Sequence, residues 1–314
     1  MTFTETFGPT FGDDSQGEVP ADEASVGNVI ELVRQLVYAT HRAEWNRLSD
    51  DITAAQATLA VDFDIRGIAR GTYISIDDEV LYVWEVAAGT GTATVQRGML
   101  GSTAAVHSAS AMIEVNPRFP QHLIRQAIRD ELRSWGKKLF SIASVTLTPT
   151  SRAVDIDGVT EFFHVLECNA SPRSGDDIWY RVPFRVVSNM DTADFASGRA
   201  LLLETELETG QTLRVTVARP FELGDLTDDI NLQTQVGLAA SMLDIVPLGA
   251  GWRLMAGREI MRTQVEAQGQ PRNAAEVPPG HNLQTAKGLK ELRDDRINEE
   301  AMRLALQYNW KRIN

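Results

Sequence analysis

The sequence predicts an α+β protein: a helical bundle core with two inserted antiparallel β regions, a small barrel-like module and a β-sandwich. Three observations lead there. Apolar residues recur at three- and four-residue spacing near 24–48, 119–140, 228–264 and 285–310. In the intervals 51–116 and 143–225 the period drops to two, with Gly, Pro, Ser and Asp between the runs. Each helical stripe is too narrow to be wholly buried and too apolar to face water, so the stripes are expected to pack together.

Residues 1–23 hold six acids, no Lys or Arg, and scattered Phe3, Phe7 and Phe11. Such a composition does not repay its ordering entropy, which predicts a flexible acidic arm whose phenylalanines are suited to docking on a partner subunit. A first core helix is expected in 24–50: Ser25 caps a run through Val29, Leu32, Val33, Leu36 and Val37, extending to Trp45 and Leu48. In the β module of 51–116, Val80, Tyr82, Trp84 and Val86 fall on one strand face, and Gly89-Thr90-Gly91-Thr92 reverses the chain. The cluster Asp77-Asp78-Glu79 lacks the spacing of a calcium loop and reads as a solvated hairpin turn.

A core helix in 117–142 follows the Asn116-Pro117 turn, with Pro120 in its first turn. Its stripe is Ile124, Ala127, Ile128, Leu132, Trp135 and Leu139. Beside it run Arg125, Arg129, Arg133 and Lys137, like charges four apart that repel weakly. Three things answer such a stripe: acids of the same protein, a neighbouring subunit, or DNA phosphate lining a channel. The second β region, 143–225, offers strands at Ser144–Leu147, Glu161–Leu166, Trp179–Val187, Ala200–Glu206 and Leu213–Val217. In 226–268, Leu232, Val236, Ala239, Leu243 and Val246 form a helical repeat. Pro247, Gly249 and Gly251 break it before a second helix carrying Trp252, Met255 and Ile260. A Pro/Gly linker at 269–284 leads to a C-terminal helix and tail, 285–314, with Leu289, Leu292, Ile297, Ala301, Leu304 and Tyr308 near one face.

The 314 residues can bury two or three compact units. A net charge of −13 argues against gripping nucleic acid by counterion release, yet an acidic wall would let DNA slide past. No run approaches the ~20 apolar residues of a membrane span, and no basic-then-apolar leader opens the chain. A product made in the cytoplasm and no membrane contact are therefore expected. One cysteine, Cys168, excludes an internal disulfide and reads as a half-buried strand residue. There is no P-loop, GxSxG, HExxH or GxGxxG, and no two of the five histidines share a ligand spacing. The sequence thus reads as a non-enzyme with no cofactor and no metal, although a His–Asp pair assembled by the fold stays open. Trp84, Trp135, Trp179 and Trp252 fit apolar faces. Trp310, beside Lys311 and Arg312, suits an interface anchor.

The runs Val95–Gly101 (VQRGMLG), Ala105-Val106-His107 and Ile113–Phe119 (IEVNPRF), with the helix Ile124–Trp135, carry a resemblance. Pro247–Arg262, Arg272, Glu276–Gly280 and the final helix extend it over roughly half the chain. They resemble head-to-tail connector (adaptor) proteins of long-tailed double-stranded DNA bacteriophages. The resemblance implies a connector-like bundle in a ring of about twelve copies at the virion neck. Such a ring binds the portal protein and a downstream neck (stopper) or tail protein, and passes double-stranded DNA without reading its sequence. It also implies a C-terminal segment reaching into the portal, here Tyr308, Trp310, Lys311, Arg312 and Ile313. The alternative is a tail or baseplate protein with a carbohydrate-binding β module. That calls for exposed aromatics, whereas Tyr82, Trp84 and Trp179 fit buried alternation.

Overall fold

The computed structural model describes residues 23–38, 44–149, 151–156, 162–171, 178–195, 198–208, 210–267 and 281–308, without the side chains of 258–267 and 281–282. Among these residues the chain forms thirteen strands in three antiparallel sheets and four helices. This corrects the expected helical bundle core. The helices α1 (Val26–Val37), α2 (Gln121–Ser134), α3 (Ile245–Ala267) and α4 (His281–Gln307) do pack together. Their stripes do not close a core alone, however. The cluster they line is completed by Leu166 and Ala218 from strands and by Phe221, Leu226, Leu232, Val236 and Leu238 from irregular chain. The other two apolar clusters are built from strands and the turns between them.

The first sheet comprises β1 (Glu44–Arg47), β2 (Thr58–Ala60), β3 (Tyr73–Ile76), β4 (Glu79–Ala87), β5 (Thr92–Gln96) and β6 (Met112–Val115), in the order β1-β6-β3-β4-β5-β2. It curls into a half-barrel whose two edges touch: Ser49 donates to the Ala60 carbonyl at 3.1 Å and Asp62 to that of Arg47 at 3.0 Å. Ile74, Ile76, Leu81, Val83, Val95 and Ile113 fill its inside. Trp45 lies in β1 and Leu48 just beyond it, so the expected helix stops earlier, at Val37. Buried Asn46 holds the strand in place, its side chain accepting from the Phe63 amide.

The second β region holds two sheets. β7 (Ser141–Leu147), β9 (His164–Ala170), β10 (Tyr180–Arg181) and β13 (Leu213–Arg219) run in the order β10-β9-β13-β7. β8 (Ala153–Asp155), β11 (Phe184–Ser188) and β12 (Arg199–Leu203) run β11-β12-β8. The two share the cluster of Val154, Ile156, Leu201, Leu203, Val215 and Val217. Cys168 is fully buried in it rather than half-buried, and burial pushes its thiol up to about 12.

The expected helix over Leu232–Val246 is also absent. Its apolar spacing is met by turns, because the Asn231 side chain accepts from the amides of Gln233 and Thr234. Gly237 at φ +81 then redirects the chain. Pro247 does not break a helix: it sits in the first turn of α3, where a missing N–H costs nothing. In α4, Ala286, Leu289, Ile297, Ala301 and Leu304 face inward, whereas Leu292 points to solvent.

Candidate functional site

Helix α2 is the joint of the molecule, and a buried carboxylate anchors the structure on either side of it. On the half-barrel side the three acids of the β3–β4 turn are answered by His107, Arg125 and Arg97. Asp77 accepts from His107 Nδ1 at 3.0 Å, and Asp78 from Arg125 Nε at 3.2 Å. Glu79, almost fully buried, accepts from Arg97 Nε at 2.7 Å and Nη2 at 2.6 Å, and from His107 Nε2 at 2.9 Å. The amides of Gly98 and Ala105 complete its cradle at 3.0 and 3.1 Å. The hairpin turn expected there does form, with Asp77 exposed, but Glu79 is not solvated. Glu79 points inward with its charge fully answered, which is the condition for burying it.

The cradle explains the run VQRGMLG…AVH. Arg97 supplies a bidentate fork and also donates to the carbonyls of Thr53, Gln56 and Ala105. Gly98, at φ +64, turns its own amide onto Glu79. His107 lies between two carboxylates, one at each ring nitrogen, an arrangement that favours the doubly protonated, charged ring. Burial works against that charge, but hydrogen bonds to Asp77 and Glu79 outweigh it and raise the histidine's pKa. For Glu79 burial pushes the carboxyl up, and the bonds from Arg97, His107 and the two amides outweigh it, holding it below the usual range. The same loop touches α2, where His122 Nε2 donates to the Leu100 carbonyl at 3.1 Å.

On the helical side the anchor is Glu131, fully buried on α2. It accepts from Arg253 of α3 at 2.9 Å, from Arg293 of α4 at 2.6 Å, and from the Trp135 indole at 2.7 Å. A Cβ on Gly249 would stand 2.0 Å from the Glu131 Cδ, so this glycine is what lets α3 approach. Burial opposes the Arg293 charge, yet Glu131 and Asp294 outweigh it and raise its pKa.

The expected basic stripe splits in two. Arg125 bonds Asp78, Asp228 and, by a short contact, the Leu226 carbonyl, while Arg129 donates to the Gly224 carbonyl at 3.1 Å. Acids and carbonyls of the same chain thus answer the first two members. Arg133 and Lys137 are exposed, with no ion pair or hydrogen bond among the described residues. Of the expected tail residues, Tyr308 packs half-buried against the helical cluster. Trp310, Lys311, Arg312 and Ile313 lie outside the described residues, as do the arm 1–22 and most of the linker, 268–280.

Sequence reasoning missed both buried systems, Glu79 with Arg97 and His107, and Glu131 with Arg253 and Arg293. A signal existed for Glu131: it falls seven positions after Ile124 and three after Ile128, an acid on the apolar stripe. Among the described residues no group of three or more His, Cys, Asp or Glu is placed to hold a metal. No family model matches the chain, and no curated protein matches it in sequence.

Proposed function

We propose that this chain is a structural virion protein, a head-to-tail connector subunit that joins the portal to the neck in a ring around passing DNA. The observation that best supports the reading is the outer face of α4. Leu292, Met302 and Leu306 are 57%, 55% and 78% exposed, and lie ten and four residues apart, which at 3.6 per turn brings them to one side. Exposed Asp295 and Glu299 lie on the same side, so it offers a partner apolar and acidic groups together, in the segment whose family resemblance points to the portal. Exposed Arg133 and Lys137 are free to meet a neighbouring subunit or the channel. The buried locks of Glu79 and Glu131 agree with a part that transmits load between a half-barrel and a helical layer.

Native mass measurement of the full chain, alone and mixed with portal rings of the same virus, tests this. The chain alone is expected as a monomer. With the portal it should add in a saturating, ring-like number of copies. No addition to the portal at micromolar concentrations overturns the assignment.

A further inference from the structure

The outer face of the half-barrel carries an aromatic row that the proposed role does not use. Tyr73 of β3, Tyr82 of β4 and Gln96 of β5 are directly opposed across three strands. Alternation puts Trp84 on the strand face of Tyr82, and that face looks outward; the β4–β5 register shift between Val83 and Glu85 then turns Val86 in against the barrel's apolar cluster. The Trp84 side chain is 50% exposed, against fully buried Val80 in the same strand. Tyr73 meets Tyr82 edge-on at 5.3 Å between ring centres, and Tyr82 meets Trp84 at 4.9 Å. The indole nitrogen donates to Gln96 Oε1 at 3.3 Å, which fixes the ring. The Gln96 amide nitrogen and both tyrosine hydroxyls have no hydrogen-bond partner among the described residues.

We propose that this row is a binding platform for a neutral oligosaccharide, with a pyranose ring stacked on Trp84 and its hydroxyls bonded by Gln96 and the tyrosines. The chemistry of the face selects that class. A sugar ring offers an apolar C–H face and a rim of hydroxyls, and the row offers an oriented aromatic face beside amide and phenol groups still free to bond. Exposed Glu85 next to Trp84, on a chain of net charge −13, disfavours an anionic polymer. A proline-rich helix docks between aromatic rings that wall a groove, whereas here neighbouring rings meet at 62° and 80° and leave no parallel-walled slot.

The test is titration of the full-length protein with cellohexaose, maltohexaose and chitohexaose, reading tryptophan fluorescence and the Trp84 indole N–H by NMR. At least one sugar should bind with a Kd of roughly 1 mM or better and shift that indole signal. Trp84→Ala should weaken binding about tenfold without moving the melting temperature, since it removes a half-exposed side chain. Gln96→Ala, a second variant that keeps the tryptophan, should weaken it about threefold. The proposal is overturned if no sugar binds at about 10 mM, or if both variants bind as the parent does. Tighter binding of a proline-rich decapeptide also overturns it. So does a self-association that Trp84→Ala abolishes, because the row is then a contact between copies.

Discussion

At Glu79 the decisive quantity is the cost of leaving one partner of a buried pair alone. Arg97 keeps only 8% of its side chain exposed, so Glu79→Gln strands a guanidinium that water reaches poorly. Breaking a pair in this way costs about 3–5 kcal/mol, and urea unfolding of the variant should show a loss of that size. The histidine adds a pH signature. Its pKa is raised in the folded state, so its contribution is complete below the ordinary 6.5 and is lost as pH climbs through the folded value. Glu79 has a lowered pKa, so its contribution is complete above the ordinary 4.5 and is lost as pH falls through the folded value. Melting curves of the parent and His107→Gln should therefore differ most between those two pH values and converge in alkali. Curves that stay parallel from pH 5 to 9 would remove the imidazolium from the account.

At the scale of elements, the packing of α2, α3 and α4 turns on the pair Glu131 and Gly249. Gly249→Ala places a methyl inside the carboxylate's space and should cost about 3 kcal/mol. With Glu131→Ala already present, the same change should cost less than about 1 kcal/mol, because the clash has gone. A four-protein unfolding cycle reads this directly, and equal penalties in both backgrounds would refute the close approach. Elements also show where the sequence could be read and where it could not. The stripe of α2 was legible because Ile124, Ile128, Leu132 and Trp135 are all buried and nothing competes with the helical period. The same period misled over Leu232–Val246, where Asn231 and Gly237 impose turns. Alternation kept Tyr82 and Trp84 on one face of β4 but failed at Val86, which a bulge with no local sequence mark turns inward. The cradle of Glu79 was visible as a motif, but its meaning lay in groups brought together from Thr53 to His107.

Over the whole molecule, a half-barrel, a pair of facing sheets and four helices meet around α2; Arg125 ties that helix to the half-exposed Asp78 of the β3–β4 turn, and buried Glu131 ties it to α3 and α4. Most of the apolar surface of the helical layer is spent on that assembly. The outer side of α4 is not, and the proposed function places the portal there. Amide hydrogen exchange of the full chain, free and bound to portal rings, tests that placement most directly. The account predicts slowed exchange in the bound state along Leu289–Tyr308, with the half-barrel strands β3 to β5 unchanged. Protection confined to the half-barrel, or no change anywhere in α4, would contradict it.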